Sequence, residues 1–163
     1  MIDDAILAQA EALLAACRAR ALKIATAESC TGGLVAGALT AIAGSSEVVD
    51  RGFVTYSNEA KREVLGVPAD TLAQYGAVSE QTARAMAEGA LAHSRAQVAL
   101  SVTGIAGPGG GTPQKPVGMV CFGWARADGE TLTATRHFPG DRAEVRRRSI
   151  ETALQGVLDL LEG

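Results

Sequence analysis

The chain has 163 residues, 47% of them hydrophobic and 20% charged, a composition that supports a packed core and excludes a disordered polymer. Fifteen basic against eighteen acidic residues leave a net charge of −3, which removes any general electrostatic pull toward nucleic acid or a membrane surface. Three widely spaced cysteines, Cys17, Cys30 and Cys121, match neither a zinc pattern nor a disulfide framework, so a reducing, cytoplasmic setting is expected.

The opening Met1-Ile2-Asp3-Asp4 lacks the basic region of a secretory signal, and no apolar run approaches membrane-spanning length. Ile6, Ala10, Leu13, Leu14 and Cys17 recur at helical spacing and predict an amphipathic helix over 3–20. A buried strand is expected at 22–27, then a Ser/Gly turn and a helix of small residues at 34–42, broken by Gly44-Ser45-Ser46. Strand character returns over 48–56. Asn58 reads as the cap of a short helix to Leu65, ended by Gly66-Val67-Pro68. A helical piece at 70–75 and a turn at Gly76 precede a well-patterned helix from Ser79 to about 94. Residues 96–102 form a continuous apolar strand, of the kind covered on both faces. A Gly/Pro-rich loop, 104–116, leads to alternating runs at 117–127 and 131–138 around Asp128-Gly129, a hairpin signal. The last helix is expected from Arg142 to Leu161. This order predicts one domain over 1–163: a three-layer α/β/α sandwich around a mixed, mostly parallel sheet with a late antiparallel hairpin.

Four segments could carry chemistry. Residues 26–33, Thr-Ala-Glu-Ser-Cys-Thr-Gly-Gly, turn from a strand into a helix and aim backbone N–H groups at one point, which suits an anion or a nucleophile whose reaction generates one. The plainer alternative is a capped βα connection. If Asn58 is a cap, Lys61 stands at the third helical position, where the helix dipole disfavours a cation; with partial burial its pKa would fall and free an amine for general-base work. A solvated surface lysine is the alternative. Thr103 and Gly104 close a buried strand, where ligands of open α/β sheets gather, and the glycines at 104, 107 and 109–111 would let backbone approach a ligand. Arg142 and Arg146 extend the inward stripe of the last helix and suit a phosphate, or else pair with Asp141 or Glu144. Arg148 points elsewhere. His93 and His137 lie outside these segments, which argues against a Ser-His-Asp triad and against catalytic zinc. Trp124 and the few other aromatics read as core, with no stacking platform for single-stranded nucleic acid.

Thr-Ala-Glu-Ser-Cys-Thr-Gly-Gly at 26–33, Arg-Gly-Phe-Val-Thr-Tyr-Ser-Asn-Glu-Ala-Lys at 51–61, Gly-Ala-Val-Ser-Glu at 76–80, Thr-Gly-Ile-Ala-Gly-Pro at 103–108, Lys-Pro-Val-Gly at 115–118 and Phe-Pro-Gly-Asp-Arg at 138–142 together resemble the CinA C-terminal domain family, in order and over nearly the whole chain. Stand-alone members of that family act as nicotinamide-nucleotide amidohydrolases. The resemblance therefore implies hydrolysis of the carboxamide of nicotinamide mononucleotide to nicotinate mononucleotide and ammonia, with neither cofactor nor metal. It implies a Ser–Lys mechanism as well, with Ser29 as nucleophile and Lys61 as base. On the same resemblance, the turn at Cys30, Thr31, Gly32 and Gly33 would surround the oxyanion. Tyr56, Asn58, Thr103 and Gly104 would line the pocket, and Arg142 or Arg146 would hold the 5′-phosphate. Cys30 reads as packing or redox-sensitive, because neighbouring side chains at a turn diverge and the family pattern places the reaction on the serine. The alternative function is a non-catalytic nucleotide-binding or regulatory module of the competence-damage-inducible type. A small-molecule nucleotide is the expected partner, self-association into a homo-oligomer is expected, and no nucleic acid or membrane partner is.

Overall fold

Ile6, Ala10, Leu13, Leu14 and Cys17 become the buried stripe of helix α1 (Asp4–Ala19) in a computed structural model that describes residues 1–162. Asp3 caps it, its carboxylate accepting the Ile6 N–H at 2.9 Å. The helix closes through Ala21, at φ 53°, where the Leu22 N–H returns to the Cys17 carbonyl. That closure takes up the start of the apolar run. Strand β1 is therefore Ile24–Glu28, later than the expected 22–27, and it ends on a glutamate that the sequence pattern assigns to the turn.

The remaining elements follow the expected order: α2 (Leu34–Thr40), a 3₁₀ turn (Ser45–Glu47), β2 (Val49–Val54), α3 (Asn58–Leu65), α4 (Ala69–Tyr75), α5 (Glu80–Ala92), β3 (Val98–Gly104), β4 (Met119–Arg126), β5 (Leu132–His137) and α6 (Arg142–Glu162). Their strands form a mixed sheet in the order β2-β1-β3-β4-β5. β1 pairs in parallel with β2 and β3, whereas β4 runs antiparallel to both β3 and β5. The Asp128-Gly129 signal does mark a hairpin, but its connection is wider than a two-residue turn: pairing stops at Trp124 and resumes at Leu132.

Helices cover both faces. On one, α1, α2 and α6 pack Leu13, Val35, Leu39, Ile150 and Leu154 onto Ile24, Leu100, Val102, Phe122 and Trp124. Trp124 is core as expected, its Nε1 donating to the Ala153 carbonyl at 3.0 Å. On the other face α5 brings Met86 and Ala90 against Ala25, Ala27 and Ala99, small residues that let the helix approach closely. α3 docks on α5 through Leu65, into space that a side chain at Gly89 would fill. The parallel strands β1, β2 and β3 thus end together at one edge of the sheet, on Glu28, Val54 and Gly104.

Candidate active site

The turn after β1 is tied on every side. The Ser29 N–H donates to the Val102 carbonyl of β3 at 2.9 Å, and the Gly32 N–H returns to the Ser29 carbonyl at 3.0 Å. Gly32 and Gly33, at φ 58° and 99°, take the left-handed conformations that redirect the chain into α2. The carboxylate of Glu28, 1% exposed, lies behind the turn: Oε1 accepts from the Thr31 hydroxyl at 2.5 Å and the Val35 N–H at 2.9 Å, and Oε2 accepts from the Ala36 N–H at 3.0 Å. The start of α2 therefore meets an internal carboxylate, where the sequence suggests an incoming anion. Among the described residues the N–H groups of Cys30 and Thr31 have no protein acceptor.

Lys61 reaches the same turn from α3. The cap of this helix is Ser57, not Asn58: the Ser57 hydroxyl accepts the Ala60 N–H at 3.0 Å. Asn58 is thus the first helical residue, and Lys61 lies a full turn inside, on the buried face shared with Leu65 four residues on. Lys61 is 1% exposed, which disposes of the surface-lysine alternative. Its Nζ donates to Ser29 Oγ at 3.0 Å, to the Thr55 carbonyl at 2.9 Å and, more weakly, to the Tyr56 carbonyl at 3.5 Å.

Burial holds the Lys61 ammonium below the ordinary lysine pKa, since no carboxylate pairs with it among the described residues. Desolvation is the main cause, the burial that the sequence reading joined to the helix dipole. A Cys30 thiolate would oppose the shift, but burial pushes that thiol up to about 12, so it stays protonated and uncharged at neutral pH. A neutral amine has two N–H donors and one lone pair. Two carbonyls and one hydroxyl surround it, so the lone pair is left for the Ser29 proton.

Ser29 and Lys61 form the floor of a cleft of about 240 Å³ whose walls include Cys30, Tyr56, Asn58, Ala77, Val78, Thr103, Gly104, Ala106 and Arg142. Thr103 donates its hydroxyl to the Ala77 carbonyl at 2.8 Å, tying the end of β3 to the connection between α4 and α5. Gly104 lines the cleft, yet its missing side chain serves packing: a Cβ would come within 2.7 Å of Val120 and 2.9 Å of the Met119 carbonyl on β4. Arg142, exposed, spans the mouth, donating to the Gly107 carbonyl at 2.8 Å and the Tyr56 hydroxyl at 3.3 Å. Arg146 does not line the cleft; it donates from behind the turn to the Cys30 and Thr31 carbonyls at 3.1 and 3.4 Å. Neither arginine takes the acidic pairing that the sequence allows. Asp141 caps α6 through the Glu144 N–H, and Glu144 pairs with Arg147 and Arg148.

A larger depression at Glu59, Arg62 and Glu63 holds no hydroxyl or thiol nucleophile among its lining residues. His93 and His137 stand outside the cleft. Among the described residues, no group of three or more His, Cys, Asp or Glu side chains could hold a metal ion, and no helix is long and apolar enough to cross a membrane.

Residues 7–161 match the CinA C-terminal domain. The chain belongs to that family. A "Nicotinamide-nucleotide amidohydrolase PncC" of Enterobacter agglomerans is 57% identical over 144 residues, 88% of each chain. A "CinA-like protein" of Akkermansia muciniphila is 56% identical over 138 residues; the match takes in 85% of this chain but spans only a third (33%) of that longer relative. The crystal structure of the competence/damage inducible protein CihA from Agrobacterium tumefaciens superposes with a TM-score of 0.95 at 50% identity, covering 100% of this chain and 99% of that one. The α/β sandwich inferred from the sequence is thus the fold of the CinA family.

Within this CinA domain the cleft includes Ala77, Val78 and Ala106, which the sequence reading leaves unassigned because small apolar residues in a loop carry no chemical signal. Glu28 is the larger omission. Its signal was present: a carboxylate ending a wholly buried strand, just before the turn into a helix.

Proposed function

We propose that the chain hydrolyses the carboxamide of nicotinamide mononucleotide to nicotinate mononucleotide and ammonia through an acyl-enzyme on Ser29. The observation that carries this reading is the 3.0 Å approach of the buried, charge-disfavoured Lys61 Nζ to Ser29 Oγ. The naming of a 57% identical relative as a nicotinamide-nucleotide amidohydrolase supplies the substrate. Neutral Lys61 takes the Ser29 proton as Oγ attacks the amide carbon, and the N–H groups of Cys30 and Thr31 receive the developing oxyanion. Lys61 then returns the proton to the amide nitrogen, the C–N bond breaks and ammonia leaves. Water, deprotonated by Lys61, attacks the acyl carbon; the proton passes back to Ser29 as the ester bond breaks, and nicotinate mononucleotide is released.

A cleft of about 240 Å³ is just below the roughly 300–1,000 Å³ of small-molecule pockets. It encloses the pyridine ring against Ala77, Val78 and Ala106 and leaves ribose and phosphate at the mouth. Arg142 is the phosphate ligand there, with Tyr56 and Asn58 beside it. The test is release of ammonia and nicotinate mononucleotide by the purified protein without added metal. Product formation abolished in Ser29→Ala supports the reading. Binding of the mononucleotide without product would replace it with the regulatory-module alternative.

A further inference from the structure

Two charged side chains grip the Ser29 turn through different groups, and neither lines the cleft. Glu28 holds the Thr31 hydroxyl together with the Val35 and Ala36 N–H groups. Arg146, from α6, holds the Cys30 and Thr31 carbonyls through Nε and Nη2. Gly32 eases that approach, since a Cβ there would stand 3.3 Å from Arg146 Nη2, a tight contact. The only cis peptide among the described residues is Gly107–Pro108, so the Cys30–Thr31 peptide is trans. In a trans peptide the C=O and N–H point in opposite directions. With its carbonyl held by Arg146, this peptide turns the Thr31 N–H away from α6, and that N–H has no protein acceptor among the described residues. Residue 31 is thus fixed twice, by its side chain on Glu28 and by its backbone on Arg146.

We propose that Glu28 and Arg146 are positioning residues, which orient the Cys30–Thr31 peptide so that its N–H receives the oxyanion formed when Ser29 attacks. The inference rests on the amidohydrolase reading of the cleft for its substrate, and on geometry for everything else. It assigns Arg146 to the turn rather than to the phosphate. A backbone donor aimed at an oxyanion contributes about 10²–10³-fold in rate, and a loosened donor loses part of that.

The test compares Arg146→Met, Arg146→Lys and Glu28→Gln with wild type. The glutamine places an NH₂ donor where one carboxylate oxygen accepted. Two readouts apply to folded protein: kcat and KM for the mononucleotide, and the rate at which an alkyl fluorophosphonate labels Ser29, followed by intact mass. Labelling forms the Ser29 Oγ–P bond and expels fluoride, with the serine proton going to Lys61; its phosphoryl oxygen draws on the same N–H donors. Both kcat and labelling should fall about 10–100-fold in Arg146→Met and in Glu28→Gln. KM should stay within about threefold, the acid limb of the pH profile should not move, and Arg146→Lys should recover part of the loss. If Arg146→Met does not fold, Arg146→Lys and Glu28→Gln carry the comparison. Folded variants labelled at the wild-type rate, or a raised KM at unchanged kcat, overturn the proposal. A wild type that labels at Ser29 but releases no ammonia defeats the amidohydrolase reading, and the labelling comparison still decides this one. A wild type that is not labelled at Ser29 overturns both.

Discussion

After β1 the chain turns back into α2 through residues 29–33, whereas after β3 it runs through 105–118 before β4 begins. Both segments leave parallel strands at the same edge of the sheet, and both reach the cleft. The short turn is held by a carboxylate, a guanidinium and a β3 carbonyl, and its side chains at Ser29, Cys30 and Thr31 are buried. The long loop is pinned at its base, where the Ile105 N–H donates to the Met119 carbonyl and the Gly118 N–H donates to the Ile105 carbonyl, but residues 108–114 are exposed and a Cβ on Gly109 would touch nothing within 4 Å. Reacting atoms must be held to within a fraction of an ångström, while a wall needs only shape and an opening. The nucleophile therefore stands on the tied segment, and the loop is left to frame the entrance.

That contrast can be broken most sharply at Lys61. Lys61→Met keeps the buried stem and removes the base, so turnover should fall by about 10⁴-fold or more in a steady-state ammonia assay. A variant retaining a tenth of wild-type activity would mean that the tied turn is only scaffold. The same amine sets the pH behaviour. Because burial lowers the folded pKa of Lys61, kcat/KM should fall with unit slope as pH drops through that value, and a flat acid side would remove Lys61 as base. Between the lowered folded value and the ordinary lysine value the unfolded chain binds the extra proton, so stability rises with pH across that window. Denaturant titrations of Lys61→Met should lack this rise, and the variant should be the more stable protein at neutral pH.

The entrance is sharpened next. Arg142→Gln should raise KM about 10–100-fold with kcat nearly unchanged, as expected for a residue that grips substrate and transition state alike. An equal loss in kcat would put Arg142 in the chemistry. Within the β3 segment itself, Gly104→Ala forces a Cβ against Val120 and the Met119 carbonyl, and should cost about 1–3 kcal/mol in chemical denaturation. Gly109→Ala, at the tip, should change stability by less than about 0.5 kcal/mol. Equal effects at the two glycines would contradict the division between pinned base and open tip. The smallest effect on activity is expected at Cys30→Ala. Its thiol is held protonated by burial, so activity should stay within about tenfold of wild type; abolition, with Ser29→Ala still active, would move the nucleophile to sulfur.

Much of this architecture was legible in local pattern. The stripe of α1, the continuous apolar run of β3 and the stripe of α6 each bury what their periodicity says they should. The alternation expected of the hairpin does not appear in β4, which is buried from Val120 to Ala125 because α5 and α6 cover both of its faces. The other errors fall at element ends, where one hydrogen bond decides. Ser57 displaced Asn58 as the cap of α3 because its hydroxyl reaches the Ala60 N–H, and the Ala21 closure delayed β1. Lys61 was singled out for a departure from capping rules that does not occur at its true position. Its spacing to Leu65 was the better clue, placing both on the buried face of one helix.

The sequence by itself determined the order of elements, the family and the residue types at the site, because helical and strand periods are local and six separated motifs survive in order. Only the tertiary structure decided which of those residues meet. Ser29 and Lys61 are 32 positions apart and touch because β1 and β2 end side by side at the same edge. Arg146 and Cys30 are 116 apart and meet because α6 crosses the face that α2 shares. Between two arginines of the same helix, one turn apart, the sequence offers no choice; packing sends one to the mouth of the cleft and the other to the back of the turn, since contact across a fold depends on direction in space and not on spacing along the chain.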